Sequence, residues 1–338
     1  MRRLLRLIAL VPLLVSAPAH AQSTAALPVD RVLALVRERH VLRDSTDWTA
    51  VERGVRAAVG RARSRADSID ALLQLFVSLD DVHSALIVSG RSYSHYHAMD
   101  GARGDSLRQL MGRAQSVASP QYTQMLSNVA YVRLHHVAPT GADAAPVAAA
   151  IRSALCTLVA QRPRGVILDL RLNTGGNMYP MLGGLGPLLG DGPIGGEVDA
   201  TGRMVRSWTI VGGNFEQAGA ARTGLRQDCP AAATLPVVVL IGPLTISSGE
   251  AVAAAFRGRP RTALLGESPE PGYSTANGWF PIDADVTLNL STEFLVDRRG
   301  VVVRRTVAPD QVVRGWDFDQ LDRDPVVLAA IAWLGRNR

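Results

Sequence analysis

The sequence contains no lysine, so all 36 of its Lys and Arg residues are arginine. Any mechanism that needs a lysine as general base is therefore excluded. Arginine cannot take that role, because its guanidinium group stays protonated at physiological pH and has no lone pair to accept a proton. A proton acceptor must come from another type of residue.

Basic blocks with interleaved aromatic residues are also absent, which argues against a nucleic-acid partner. The formal net charge is +6, but Arg2, Arg3 and Arg6 lie in a segment that we expect to be removed, which leaves about +3 (6 minus 3). There are no repeats or low-complexity tracts. With 338 residues, of which 47% are hydrophobic, the chain can form one large domain or two modest ones around a sizeable core.

The first residues have the pattern of a signal peptide. A basic start, Met1–Arg6, precedes the apolar stretch Leu7–Ala19 and the small-residue cleavage site Ala19–Ala21. A membrane anchor is the alternative, but the apolar run is shorter than the ~18–20 residues that a spanning helix requires. No cysteine stands at the cleavage site to carry a lipid. We therefore expect residues 1–21 to be cleaved, no stable membrane anchor, and a periplasmic or extracellular protein.

Cysteine is rare as well. An oxidising compartment would allow Cys156 and Cys229 to form a disulfide. Cys156 lies in an apolar helical run, however, where a buried free thiol is equally reasonable. The sequence leaves both alternatives open.

Residues 22–127 are predicted to form a small helical N-terminal region and a connecting segment. Helices are expected over Pro28–Leu42 and Asp47–Val59, and a third has an apolar stripe that ends near Leu79. The run Ala85–Val88 could be a strand. A further helix is expected around Leu107–Ala114.

From Asn128 the pattern changes to alternating strands and helices. Continuous apolar runs at Val166–Leu170 and Val237–Ile241 are typical of fully buried strands, and Pro325–Leu334 has the pattern of an amphipathic helix. Such alternation predicts an α/β sheet with helical cover, so residues 128–338 are the expected catalytic core.

Two loops that follow buried strands carry unusual residues. In Asp169–Gly176, paired glycines stand before a helix, where outward-facing amides could form an oxyanion hole. A tight turn that needs positive φ is the alternative. In Gly242–Glu250, a serine at a helix start would gain an exposed hydroxyl and the positive end of the helix dipole, although serines often serve only as N-caps.

Taken in order, these motifs resemble the tail-specific, or C-terminal processing, serine peptidases. Val166–Gly176 resembles their "DLR-x-N-x-GG" signature and Thr245–Glu250 their "T-A-S-[SA]-x-E" motif. Gly266–Gly272 and Val307–Asp310 are similar to "GE-x-T-x-G" and "GV-x-PD". The resemblance spans residues 128–313. It implies an α/β fold with a ClpP/crotonase-like mixed-sheet core, and it makes Ser247 the nucleophile.

The sequence departs from this pattern at the residue that serves as general base. In well-known members a lysine follows the glycine of "GE-x-T-x-G", whereas here Tyr273 follows Gly272. Asp81–Ser84 resembles the "D-x-H-[ST]" motif of members that use histidine, such as the nisin resistance protein. The resemblance therefore implies His83 as the base, and an imidazole that titrates near pH 6.5 suits that task.

Other histidines remain alternatives. His135 and His136 end a strand that enters the same domain, and the His95-x-His97 spacing could hold a metal but has no nearby Asp, Glu or Cys set. We expect no metal and no cofactor.

No acid is assigned to orient the imidazole; the possible ones are Asp80, Asp81 and Glu267. The stretch between His83 and Val129 is about half as long as a PDZ domain needs. Substrate recognition would then fall to the core and the helical region, for example through an extended peptide pairing with a sheet edge.

The sequence thus predicts an exported serine peptidase that acts on peptides or proteins. Ser247 and His83 are the predicted catalytic residues, and the amides of Gly175, Gly176 and Ser248 form the predicted oxyanion hole. A non-catalytic ligand- or peptide-binding module on the same fold and an esterase-type acyl hydrolase are the alternatives.

Overall fold

The computed structural model of the protein describes residues 27–96, 101–116, 121–137, 144–225 and 229–337. The predicted signal segment 1–21 and His97 lie outside these ranges. Among the helices in them, none combines the length and the apolarity that crossing a bilayer requires.

The helices are α1 Val29–Arg39, α2 Trp48–Arg61, α3 Arg65–Ser78, α4 Gly101–Gln115, α5 Ala144–Val159, α6 Met178–Gly184, α7 Gly186–Leu189, α8 Ser248–Phe256 and α9 Pro325–Arg336, with 3₁₀ turns at Arg43–Ser45 and Pro230–Thr234. The strands are β1 Ala85–Val88, β2 Arg91–Ser94, β3 Gln121–Leu126, β4 Val129–Leu134, β5 Val166–Asp169, β6 Gly192–Val198, β7 Met204–Val211, β8 Asn214–Gln217, β9 Ala220–Ala221, β10 Val237–Ile241, β11 Thr262–Gly266, β12 Thr275–Pro281, β13 Val286–Val296, β14 Val302–Val303 and β15 Gln311–Val312.

The N-terminal helices pack on a sheet. A capping box at Ser64 and Asp67 starts α3, whose buried residues include Leu72 and Phe76. These side chains form one hydrophobic cluster with Leu33 of α1 and Leu288 of β13. Burial of this apolar face against the sheet, rather than helix propensity, holds the helical region in place.

A six-stranded sheet has the order β15-β11-β10-β5-β4-β3, parallel except for β3. Its central strands are covered on both faces, which explains their continuous apolar sequences. Val239 of β10 contributes to the cluster under α5, α6 and α8, whereas Val238 packs toward α9. The predicted mixed α/β core with helical cover is confirmed.

A nine-stranded sheet contains the path β2-β1-β13-β6-β7-β8-β9, and β12 and β14 also pair with β13. Leu86 of β1 lies opposite Leu288 of β13 in antiparallel register. Strands from both sides of Asn128 therefore share this sheet. The division of the chain at residues 127 and 128 stays a prediction.

One disulfide joins Cys156 of α5 to Cys229, which precedes the 3₁₀ turn Pro230–Thr234. Their Cα atoms are 5.6 Å apart and 73 positions separate them in sequence. Of the two alternatives that the sequence left open, the structure has the disulfide. It closes a loop that includes β5, both short helices α6 and α7, and β6 to β9.

Replacing both cysteines (Cys156→Ser with Cys229→Ser) should lower the free energy of unfolding by about 2–4 kcal/mol, because the cross-link restricts the unfolded chain over a long loop. Urea unfolding measures the change. The wild type in reducing agent is the matched control and should unfold like the double variant. A wild-type transition that reducing agent does not shift would contradict the prediction.

Candidate active site

The site forms where two loops meet at the carboxyl ends of neighbouring parallel strands. The loop after β5 carries Asn173 and the paired glycines, and the loop after β10 leads to Ser247. The Thr245 hydroxyl donates to the Leu170 carbonyl at 2.9 Å, and the Ile246 amide donates to the Asn173 carbonyl at 3.2 Å. These bonds fix the two loops to each other.

Ser247 stands at the N-terminus of α8 with φ 56° and ψ −122°. A positive φ is uncommon for a residue other than glycine and marks a turn that the surrounding structure enforces. The Ser247 side chain makes no capping hydrogen bond. Its hydroxyl is therefore turned toward other partners, and the simple N-cap alternative does not describe it.

The principal partner of this hydroxyl is His83, on the loop between α3 and β1. His83 Nε2 lies 2.9 Å from Ser247 Oγ, although 164 positions separate the two residues. Asp81 holds the loop, because its Oδ1 accepts the backbone amides of His83 at 2.8 Å and Ser84 at 3.0 Å. The Tyr273 ring packs edge-on at 5.4 Å from the imidazole.

The other imidazole nitrogen faces a hydroxyl. His83 Nδ1 lies 2.7 Å from Thr275 Oγ1, at the start of β12. Within the described ranges, no carboxylate is hydrogen-bonded to the His83 ring. Asp81 binds the His83 backbone instead, and Glu267 approaches Arg314 at 3.9 Å. Sequence reasoning missed Thr275, and no motif marks it.

The environment of His83 keeps its imidazole neutral. Burial lowers the pKa of His83 to about 4, and the nearby Asp81 carboxylate opposes that shift. A neutral imidazole at physiological pH has a lone pair that can accept the serine proton.

The paired glycines differ in what their amides do. Gly175 and Gly176 have φ of 94° and 98°. The Gly175 amide donates to Asn173 Oδ1 at 2.9 Å, so it is already occupied. The predicted role of the Gly175 amide as an oxyanion donor is therefore corrected. Glycine is needed at this position because a Cβ would lie 2.7 Å from Ser247 Cβ.

The amides of Gly176 and Ser248 donate to no protein acceptor within the part of the chain that the structure describes. The Ser248 hydroxyl donates to the Gly176 carbonyl at 2.6 Å, which joins the glycine turn to the start of α8. Gly176, Ser247 and Ser248 line the same cleft, and backbone amides in such a position can stabilise a negative oxygen.

The other predicted histidines are not the hydrogen-bond partner of the Ser247 hydroxyl, which contacts His83. His135 is buried just after β4, and His136 is exposed there with its ring close to Gly176. Among the described residues no cluster of three or more His, Cys, Asp or Glu side chains has the arrangement of a metal site.

The site opens into a cleft of about 1290 Å³. Along one side runs β12, from Thr275 to Phe280, with Trp279 64% exposed. Met178 and Tyr179 of α6 also line the cleft. Strand β12 pairs with β13 alone among the described strands, so its outer edge has no partner strand there.

Glu250, in the first turn of α8, is fully buried. It accepts hydrogen bonds from the Ser274 and Thr306 hydroxyls at 2.9 Å and from the Val307 amide at 2.8 Å. Burial raises the pKa of Glu250 to about 7, against the opposing effect of these bonds. Because Ser274 precedes Thr275, Glu250 ties the helix of Ser247 to the strand that contacts His83.

A family model described as "Peptidase family S41" matches residues 128–313. The chain belongs to peptidase family S41. The predicted resemblance is thereby confirmed, and so is a serine-type peptidase at the level of the family. The matched range contains Ser247 and both glycines, whereas His83 lies before it.

Among known proteins, the "Nisin-resistance protein" of Lactococcus lactis subsp. lactis is 34% identical over 147 residues. The match covers 43% of this chain and 45% of that protein, less than half the length of either.

Two solved structures share the fold. A lipoprotein from Streptococcus agalactiae has a TM-score of 0.62 at 18% identity, covering 92% of this chain and 96% of the other. The photosystem II D1 C-terminal processing protease has a TM-score of 0.55 at 15% identity, covering 89% and 96%.

Glu250→Gln should become increasingly more stable than the wild type as the pH rises. The carboxyl has a folded pKa of about 7 and an ordinary value of 4.5, so its contribution is full below pH 4.5 and is lost as pH rises through 7. Gln is neutral at every pH and so mimics the protonated carboxyl of Glu250. The difference in unfolding free energy between variant and wild type should therefore grow by about 3 kcal/mol from pH 4.5 to above 7.

Urea unfolding at several pH values measures this difference. The low pKa of His83 gives a slope of opposite sign in both proteins, which the subtraction removes. Glu216→Gln on β8, which removes a carboxylate outside this hydrogen-bond network, is the matched control. Parallel curves for Glu250→Gln and the wild type would contradict the assignment.

Proposed function

We propose that the chain is an exported serine peptidase in which Ser247 is the nucleophile and His83 is first general base and then general acid. The observation that carries this proposal is the 2.9 Å contact between His83 Nε2 and Ser247 Oγ. It supplies a nucleophile and a base within hydrogen-bonding reach in a chain that has no lysine.

In the first half of the proposed reaction, Ser247 Oγ forms a bond to the peptide carbonyl carbon while its proton passes to His83 Nε2. The carbonyl oxygen becomes an oxyanion, which accepts hydrogen bonds from the amides of Gly176 and Ser248. When the tetrahedral intermediate collapses, the carbon–nitrogen bond breaks. His83 gives its proton to the leaving amine.

In the second half, a water molecule attacks the acyl ester on Ser247 and gives a proton to His83. Collapse then breaks the ester bond and returns that proton to Ser247 Oγ, which regenerates the enzyme. The same two amides bind the oxyanion in both halves. The proton that leaves with the amine is thus replaced by one from water, so substrate and water are the only groups outside the chain that the protons need.

A peptide or protein substrate fits the form of the cleft. The free edge of β12 can pair with an extended chain, and main-chain pairing of this kind accepts many sequences. Trp279 and Phe280 offer apolar contacts at the far end of the strand. A substrate that lies along β12 would bring one carbonyl past Thr275 toward Ser247.

Ser247→Ala and His83→Ala should each lower peptide turnover by at least about 10³-fold, because nucleophile and base act as one unit. Cleavage of casein or a fluorogenic peptide measures it. A fluorophosphonate probe should label the wild type, and peptide mapping should find it on Ser247.

Two matched controls accompany these variants. Ser153→Ala changes an exposed serine on α5 and should keep wild-type turnover. His136→Ala removes the rival histidine beside Gly176 and should lower turnover far less than His83→Ala does. A peptide amide and its ester should be compared in parallel, since hydrolysis of the ester alone would favour an esterase. Unchanged turnover in Ser247→Ala or His83→Ala would overturn the assignment.

Export is the second part of the proposal, and the disulfide Cys156–Cys229 supports it because such bonds persist in oxidising compartments. In a diderm bacterial host, the full chain should be recovered from the periplasm or medium with Gln22 as its first residue by mass spectrometry. Ala21→Arg should block the cleavage. Recovery of an unprocessed wild-type chain with free thiols in the cytoplasm would contradict export.

A further inference from the structure

The hydroxyl of Thr275 occupies the position that a carboxylate holds in a serine–histidine–acid triad. It lies 2.7 Å from His83 Nδ1. An acid at that position orients the imidazole and selects its tautomer. A hydroxyl can also accept the Nδ1 hydrogen, but only if its own hydrogen points elsewhere.

The neighbouring Asn277 provides one place for the Thr275 hydrogen. The Asn277 amide nitrogen donates to the His83 carbonyl at 2.9 Å and to Asn289 Oδ1 at 2.7 Å. Since both acceptors are oxygens, this assignment leaves Asn277 Oδ1 as the atom that faces Thr275 Oγ1, at 3.2 Å. Thr275 can therefore donate to Asn277 and keep a lone pair for His83.

Ser291 provides a second acceptor and a connection to charge. Its Oγ lies 3.1 Å from Thr275 Oγ1 and 3.3 Å from Asp81 Oδ1. A carboxylate only accepts, so the Ser291 hydrogen goes to Asp81 and its lone pair faces Thr275. Two hydroxyls thus lie between the Asp81 carboxylate and the imidazole, both able to donate away from His83.

Asp81 is held in its ionised form at the end of this chain. Burial alone would raise the pKa of its carboxyl, but hydrogen bonds from His40 and Ser84 outweigh burial and hold that pKa well below its usual range. His40 Nε2 lies 2.8 Å from Asp81 Oδ2. His40 Nδ1 accepts the Leu42 amide at 3.1 Å, so the hydrogen is on Nε2.

We propose that Thr275 is a positioning residue that fixes His83 in the tautomer with hydrogen on Nδ1, and that Ser291 and Asp81 keep the Thr275 hydroxyl in its accepting orientation. The unprotonated Nε2 then faces Ser247. This inference rests on the proposed roles of Ser247 and His83.

The decisive variants change Thr275 alone. Thr275→Val keeps the shape but removes the hydroxyl, and kcat should fall about 10–100-fold because the reactive tautomer is no longer enforced. Thr275→Ser restores the hydroxyl and should return kcat to within about threefold of the wild type. Thr157→Val, on the exposed face of α5, is the matched control and should leave kcat unchanged.

A spectroscopic readout separates positioning from a loss of packing. Imidazole ¹⁵N spectra of the free enzyme at neutral pH should show His83 with hydrogen on Nδ1, and the His83 signal is identified by its absence in His83→Gln. Thr275→Val should show a mixture of tautomers or hydrogen on Nε2. Wild-type kcat together with an unchanged His83 signal in Thr275→Val would overturn the proposal.

The acidic limb of the kcat/KM profile gives an independent test. In the wild type it should lie near pH 4, the value set by His83. Thr275→Asp places a carboxylate against the imidazole and should shift the midpoint of this limb to higher pH by about 1–3 units. A limb that stays at the wild-type position would show that this position does not act on His83.

Ser291→Ala provides a second variant should Thr275→Val fail to fold. It removes the link to Asp81 but leaves the Thr275 hydroxyl, so kcat should fall about three- to tenfold with a weaker preference for Nδ1. Wild-type kcat and tautomer in Ser291→Ala would overturn the relay. Full activity in His83→Ala would instead overturn the proposed function, whereas an inactive His83→Ala beside an unaffected Thr275→Val would overturn this inference alone.

Discussion

The contact between His83 and Ser247 depends on how two sheets are placed against each other. Ser247 and the glycine turn belong to loops at the carboxyl end of the six-stranded sheet, whereas His83 and Thr275 adjoin β1 and β12 of the nine-stranded sheet. Each sheet therefore contributes one of the two side chains in this contact. The core that packs α6 and α8 between the two sheets sets the distance between them.

Buried ion pairs fix the six-stranded half. Arg171 bonds both oxygens of Asp169 and reaches Asp324, whose carboxylate also caps the first turn of α9. The loop toward Asn173 leaves the sheet directly after this cluster. Because guanidinium is planar and donates in several directions, one arginine can join a strand end to a helix end, as a lysine could not. The use of arginine in place of lysine therefore suits these buried ion pairs.

Sequence patterns predicted the elements whose burial is complete. Val166–Leu170 and Val237–Ile241 were correctly recognised as strands because both of their faces are apolar, and the adjacent motifs marked Ser247 and Gly176. The strands β6 to β9 and β12 were missed. They are rich in glycine or half exposed, and each pairs with the strand next to it along the chain in antiparallel register. Their formation depends on this cross-strand pairing rather than on a continuous apolar run. The apolar run Met178–Leu189 forms two short helices that are separated at Leu185.

Individual side-chain roles were harder to predict than elements. The paired glycines looked equivalent, and only the position of Asn173 distinguishes the occupied Gly175 amide from that of Gly176. Thr275 lies in a segment without a recognisable motif, and a hydroxyl needs no local pattern to accept a hydrogen bond. Its role depends on a register in which β12 and the His83 loop meet beside β13. Such a register is a property of the folded sheet.

In the proposed mechanism, the group that contacts His83 Nδ1 determines how strong a base His83 is. A carboxylate would favour the imidazolium form and raise the basicity of Nε2, whereas a hydroxyl orients the ring without adding charge. Burial then keeps the pKa of His83 at about 4, so the neutral form persists far below pH 6.5. In the proposed mechanism, a weaker base accepts the serine proton less readily, and the amides of Gly176 and Ser248 would have to stabilise more of the transition state. The rigidity of the glycine turn, held by Asn173 and Ser248, is consistent with that demand.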